Sequence, residues 1–356
     1  MRTLLNARAG EMLAAVAEKY GGPDVLKIKS VAVPEPGDRQ VLVRVHAIGL
    51  NFADIIGRWG VYPGIPKPPF IPGIEFSGTV AARGAGATRF AEGERVMGYS
   101  RVGSHAEYVS VDERMVGAVP PSVSLDTAAA FPVASMTAFH GLRTLGNLQS
   151  GERVLIHAGA GGVGTASIQL AKHLGATVLA TVGTEEKRRL AEEQGADFVI
   201  NYRREDFSKV VRRMIGSSGL DLVFDSVGGP VFRKGWSLLS VMGRYVLFGL
   251  SSVSGRGRLN RLRALRVYAQ MGVVLPGILI SSNKAIFGFN IGTLTGKEQY
   301  LADTGSRIVD LLKQQVFRPV IGNRFRFDQI VTAHTELQAG RTMGKVVVMV
   351  REAEDD

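Results

Sequence analysis

The sequence predicts an α/β protein in which a doubly wound parallel sheet is inserted into a β-rich domain. Between Glu152 and Phe289, short runs rich in Val, Leu and Ile alternate with longer helical patterns, as crossover units of a parallel sheet require. These runs are apolar on both faces, as strands covered by helices on each side must be. Before residue 136 the runs are short, alternate in polarity and are bounded by Pro and Gly, which reads as β-rich and partly antiparallel.

In chain order, residues 1–11 read as an extension, with Met12 opening the first patterned segment. Val41–Val45, Gly78–Ala81 and Tyr108–Val111 are strands of the first domain. Asp54 and Arg58, four apart, are expected to pair on a local helix. The parallel unit then runs through strand Arg153–Ile156, helix Val163–Leu174, strand Thr177–Val182, helix Glu185–Glu193 and strand Phe198–Ile200. Helix Asp206–Ile215, strand Leu220–Phe224, helix Phe232–Leu239 and strand Arg244–Phe248 follow, with Ala285–Phe289 as a sixth strand. The tail returns to a helix at Asp303–Gln314 and ends in strand Lys345–Val350. The expected division is 12–136 and 293–351 for the catalytic domain, 137–292 for the nucleotide domain and 352–356 for an acidic tail.

Composition narrows the function. The 356 residues contain no cysteine, which excludes disulfides, thiolate nucleophiles, zinc ribbons and iron–sulfur clusters. With 45% hydrophobic residues and 44 glycines the chain is a packed globular protein. Lys+Arg 43 against Asp+Glu 32 gives a net charge of +11, which attracts anions. No uninterrupted apolar run reaches membrane-spanning length, so no integral membrane segment is expected, and a cytoplasmic location follows. Arg256 to Arg266, interleaved with Leu259, Leu262 and Leu265, is expected to form an amphipathic helix with a basic solvent face. Little aromatic interleaving argues against nucleic acid.

The strongest motif is Gly159-Ala160-Gly161-Gly162-Val163-Gly164, directly after a strand and opening a helix. The first glycine allows the tight turn, the middle one admits a pyrophosphate to the backbone, and Gly164 lets helix and strand pack closely. The helix N-terminus offers free N–H groups to phosphate. An NAD site usually carries an acid about 20 residues on, but Thr177–Thr184 has none. Gly183 is followed instead by Lys187, Arg188 and Arg189, cations suited to a 2′-phosphate. The expected cofactor is NADPH.

With Gly49–Ile55, Pro69–Gly78, Gly93–Val96, Asn201-Tyr202 and Gly344–Val347 added to the glycine loop, the chain resembles the medium-chain dehydrogenase/reductase superfamily, in its zinc-free quinone oxidoreductase branch. Asn283–Gly292 is similar to the vesicle amine transport protein subgroup. The resemblance implies a Rossmann sheet set into a GroES-like catalytic domain. It implies Gly183, Lys187 and Tyr202 near the adenosine 2′-phosphate, and Gly161, Gly162 and Val163 along the pyrophosphate. Phe248, Gly249, Phe289 and Asn290 would lie towards the nicotinamide. The asparagine common two residues before the terminal Gly-Lys is here Thr342, so no side-chain contact is carried over there.

Zinc enzymes of the superfamily place ligands where this chain has Asn51, Ile74 and about Val133, and neither Ile nor Val ligates a metal. Without a Lewis acid, reduction of an electrophilic quinone or α,β-unsaturated carbonyl is the accessible chemistry, and it requires only register, exclusion of water and donors to oxygen. Asn51 is expected to offer an amide N–H. Tyr62 matches a tyrosine that donates a proton in related enoyl thioester reductases. The alternative is an NADPH-binding interaction protein with little or no turnover. The resemblance also implies a homodimer joined through the strand near Ala285–Phe289.

Overall fold

The structure, a computed structural model, describes residues 10–253 and 261–351. Strand β1 (Glu11–Ala17) pairs antiparallel with β2 (Leu26–Ala32), beginning at Glu11 against Ala32. The first strand therefore starts a residue before Met12, and residues 1–9 of the expected extension lie outside the described residues. Strand β3 (Gln40–Leu50) leads into helix α1 (Phe52–Arg58), followed by β4 (Glu75–Arg83), β5 (Arg95–Tyr99), β6 (Tyr108–Asp112) and β7 (Val116–Ala118). Helices α2 (Leu125–Ala129) and α3 (Pro132–Ala138) carry the chain into the second unit.

That unit runs through β8 (Arg153–Ile156), α4 (Gly162–His173), β9 (Thr177–Val182), α5 (Glu185–Glu193), β10 (Phe198–Asn201) and α6 (Phe207–Ile215). It continues with β11 (Leu220–Asp225), α7 (Pro230–Trp236), β12 (Leu239–Leu247), α8 (Arg261–Met271), α9 (Pro276–Ser282) and β13 (Ala285–Gly288). The chain then returns through α10 (Glu298–Lys313), β14 (Ile321–Arg326), α11 (Ile330–Gln338) and β15 (Lys345–Met349).

Two sheets result, besides the β1–β2 ribbon. One has the order β14-β15-β3-β4-β5-β7, with β6 also paired to β3, so the last strand of the chain sits beside one of the first. The other has the order β10-β9-β8-β11-β12-β13 and is parallel throughout. The doubly apolar strands explain themselves here. Val154 and Ile156 of β8 pack with Ile168 and Leu170 of α4 on one face. Leu155 packs with Val211 and Phe232 on the other. The sequence order reverses between β8 and β11, the switch point outside which such sheets bind ligands.

Three local expectations are corrected. Helix α7 ends at Trp236, and β12 begins at Leu239, because Leu239 pairs with Leu220. An irregularity at Met242-Gly243 then resets the register so that Arg244 meets Leu222. Asp54 and Arg58 turn apart: the Asp54 carboxylate accepts the Asn51 backbone N–H at 2.8 Å. The fully buried Arg58 donates to Gly21 O and Gln338, with His334 Nδ1 at 3.2 Å.

The third concerns the basic segment, whose residues 254–260 lie outside the described residues. In α8 the apolar stripe faces solvent, with Leu262 78% and Leu265 68% exposed. The 21-residue stretch Leu262–Ser282 is long and apolar enough by composition to cross a membrane, with mean hydropathy 1.4 over 18 of its residues. Its backbone is nevertheless two helices, broken after Met271 by Gly272 at φ +75°.

Candidate functional site

The glycine loop leaves β8 and opens α4, whose N-cap Gly161 contributes no side-chain cap. The first-turn N–H groups are thus left to whatever docks there. Each glycine meets a different neighbour. A Cβ on Gly159 would fall 2.8 Å from Ala180, and one on Gly164 would fall 2.7 Å from the Gly159 carbonyl carbon, so these two serve strand–helix packing. A Cβ on Gly161 would meet nothing nearer than Ala158 O at 3.4 Å, so this glycine leaves the loop open to a ligand. On Gly162 a Cβ would fall 2.5 Å from Lys345 Cδ. Val163, beside it, packs at the edge of the main core.

At the end of β9, Gly183 lies under Tyr202: a Cβ there would sit 2.8 Å from the Tyr202 hydroxyl and 3.3 Å from Arg203 Nε. Thr184 caps α5 by accepting the Lys187 N–H at 3.3 Å. The Lys187 ammonium donates to Gly340 O at 2.7 Å, and burial, helped by Arg203, lowers its pKa. Glu185, at the start of α5, is turned to Asn201 and Arg204. Gly183, Lys187, Tyr202 and Arg203 thus form a cationic corner fit for a 2′-phosphate. Arg203 was not anticipated; its place next to Tyr202 after a strand end was the available signal.

At the other end, the carboxyl ends of β12 and β13 bring Phe248, Gly249, Phe289 and Asn290 together. Phe248 stacks on Phe224 at 4.2 Å and on Phe289 at 5.8 Å between ring centroids. Gly249 is held close, since a Cβ would fall 2.9 Å from Ser226 O. Tyr62, from the loop after α1, donates its hydroxyl to Asn290 Oδ1 at 2.7 Å, a bond that joins the two units. Burial raises the Tyr62 pKa, opposed by the Asn290 bond, so the phenol holds its proton at neutral pH.

Asn51 behaves otherwise than expected. Its Nδ2 donates to Gly49 O at 3.1 Å and to Glu75 Oε2 at 2.8 Å, which commits both amide hydrogens. The carboxamide therefore has no N–H left for an acceptor oxygen. Its Oδ1 accepts from Lys345 Nζ at 2.8 Å. Lys345 also donates to Leu50 O at 2.9 Å and to Glu75 Oε2 at 2.5 Å, while Glu75 Oε1 takes the Val133 N–H at 2.6 Å. Glu75 is 0% and Lys345 5% exposed. This buried network was missed, although a lone lysine heading the apolar run Val346–Met349 and a glutamate heading β4 were its legible trace. Among the described residues no group of three His, Asp or Glu side chains is arranged to hold a metal ion.

The comparisons agree with the two-unit fold. Residues 37–121 match the family model for the alcohol dehydrogenase GroES-like domain, and residues 162–303 that for zinc-binding dehydrogenase. The chain is 32% identical to the human synaptic vesicle membrane protein VAT-1 homolog, over 93% of this chain and 84% of the relative. It is 31% identical to human quinone oxidoreductase, over 95% of this chain and 98% of the relative. The crystal structure of Escherichia coli quinone oxidoreductase complexed with NADPH superposes with a TM-score of 0.82 at 28% identity, covering 95% of this chain and 99% of that one. With its parallel nucleotide sheet set into a GroES-like domain, the chain belongs to the medium-chain dehydrogenase/reductase superfamily, in the branch that holds the quinone oxidoreductases and the VAT-1-like proteins.

Proposed function

We propose that the protein is a zinc-independent reductase that uses NADPH to reduce a quinone or an α,β-unsaturated carbonyl. The observation that carries this reading is the Tyr62–Asn290 hydrogen bond, which sets a protonated phenol at the nicotinamide end of the crevice. Bound NADPH supplies a hydride to the conjugated acceptor, and the residues of the chain do the rest. The open face at Gly161 and the start of α4 take the pyrophosphate. Lys187, Tyr202 and Arg203 take the 2′-phosphate, and Phe248, Gly249 and Phe289 wall the nicotinamide end. Tyr62, whose hydroxyl can rotate away from Asn290 Oδ1, donates its proton to the reduced acceptor oxygen. Asn51 positions rather than donates.

Zinc independence rests on donor chemistry. Ile74 and Val133 offer no ligand atom, Asn51 is tied to Lys345, and the match named for zinc-binding dehydrogenases covers residues 162–303, beyond all three positions. The test is NADPH consumption at 340 nm with a panel of quinones and enones. Turnover with several acceptors is expected; NADPH binding without turnover on any of them refutes the reading.

A second reading, an NADPH-binding interaction protein, is favoured by one observation. From Ser226 to Lys297 the chain holds ten Lys and Arg and no Asp or Glu. Within that stretch Leu262, Leu265, Val273 and Ile280 are each more than two-thirds exposed. We read the adjoining edge strand β13 as the junction of a homodimer, which a monomeric mass by light scattering would overturn.

A further inference from the structure

We infer that Lys345 is a positioning residue that couples the dinucleotide loop to the acceptor side of the crevice. Its stem lies against Gly162, where a Cβ would fall 2.5 Å from Cδ and 2.9 Å from Cγ. Directly before it, the Gly344 N–H donates to Ala160 O at 2.8 Å, and Gly344 bridges Gly161 in a parallel pair. The backbone and stem at this point are therefore bound to the loop that would hold the pyrophosphate.

The other end of the side chain reaches a different unit. The ammonium has three N–H donors, and Leu50 O, Asn51 Oδ1 and Glu75 Oε2 take all three. Glu75 in turn accepts the Val133 N–H near the start of α3 and an Asn51 amide N–H. A single side chain thus ties β15, the end of β3, the start of β4 and the entry to α3 into one knot, with the cofactor loop at its back. Because every donor of the ammonium is engaged, Lys345 has none for substrate. It acts through Asn51 and the turn into α1, which leads on to Tyr62. A tethered cation here does the ordering that a ligated ion would do between the same oxygens. When cofactor fixes Gly161 and Gly162, the stem of Lys345 loses freedom, and the segment Gly49–Asp54 stiffens with it.

The inference rests on the reductase reading only where turnover is the readout. The test uses the full chain in native form, as Lys345→Met, and as the double variant Lys345→Met with Glu75→Gln. Methionine keeps the stem against Gly162, and the double variant leaves no buried charge unpaired, so it serves if the single variant fails to fold. NADPH affinity, read by cofactor fluorescence, is expected to stay within about threefold of native in the double variant. Hydrogen exchange over residues 49–54 is expected to slow at least about fivefold on adding NADPH to the native protein, and to be unaffected by NADPH in the double variant. With a quinone, kcat is expected to fall about tenfold or more while the acceptor KM moves less than about threefold. Equal slowing of exchange in native and double-variant protein, no slowing in the native protein, or an unchanged kcat in the double variant overturns the coupling. Absence of turnover in the native protein, with the exchange coupling intact, refutes the reductase reading and leaves this inference standing.

Discussion

Replacing Lys187 by alanine separates the two nicotinamide cofactors, and the size of the effect follows from the geometry. In the free protein the Lys187 ammonium donates to Gly340 O at 2.7 Å. On binding NADPH it would exchange that carbonyl for a phosphate oxygen. A hydrogen bond that involves a charged group contributes about 1.5–3 kcal/mol, with the ammonium–phosphate bond near the top of that range and the ammonium–carbonyl bond near the bottom. The net loss in Lys187→Ala is therefore about 1–1.5 kcal/mol, or roughly 5–13-fold in NADPH affinity. Arg203, beside Gly183, remains to bind the phosphate and keeps the loss from being larger. NADH has no 2′-phosphate, so Lys187 keeps Gly340 in both states and the NADH affinity should change by less than about twofold. The assay is titration of each cofactor by fluorescence at low and moderate salt, since the pyrophosphate is common to both and the extra salt dependence of NADPH reports the 2′-phosphate contact. Equal losses for both cofactors, or an unchanged NADPH affinity, refute the assignment of this corner.

Other perturbations test the rest of the site. Tyr62→Phe should lower kcat about 100-fold while leaving NADPH affinity unchanged; a parallel loss of cofactor affinity would assign the tyrosine to binding instead. Gly161→Ala and Gly164→Ala should part company. The first, at φ −83° with open space around it, should fold normally but bind NADPH weakly. The second drives a Cβ into the Gly159 backbone and should cost about 1–3 kcal/mol of stability in urea unfolding. Asp54 is pushed up to about 7, chiefly by burial. Because its folded value lies above the unfolded one, its contribution is present at low pH and is lost as pH rises through about 7. Asp54→Asn removes that loss, so its stability relative to native should grow by about 1 kcal/mol per pH unit between about pH 5 and 7. The buried His105 and His334, held low by burial, change stability in the opposite sense but cancel in the difference. A pH-independent difference would refute the Asp54 assignment.

The parallel sheet was legible because burial on both faces leaves a period-free apolar run, and the covering helices leave their own period. Strand β9 and helix α5 fall where the residues place them, since Thr184 and the acids after it mark the helix start. What was missed depends on partners distant in sequence. The start of β12 answers to Leu220, and Arg58 answers to Gly21 and α11 rather than to its helical neighbour. The amide of Asn51 looked available because Glu75 and Lys345 stand 24 and 294 residues away. In α8 the leucine stripe has helical spacing, but spacing does not say whether a face meets the body of the protein, and here it does not.

Strand β15 pairs with β3 from Val346 opposite Leu50 to Met349 opposite Ala47. On the ribosome, Leu50 therefore waits for a partner almost 300 residues downstream. At about 5–20 residues per second the wait is roughly 15–60 s, during which the Ala47–Leu50 end of β3, beyond the part that β6 pairs, presents unpaired backbone to any neighbouring chain. The nucleotide unit, contiguous in sequence, can close meanwhile. Premature termination ahead of Lys345, which removes β15 whole, would thus release a chain with an intact cofactor sheet and an open, aggregation-prone first sheet.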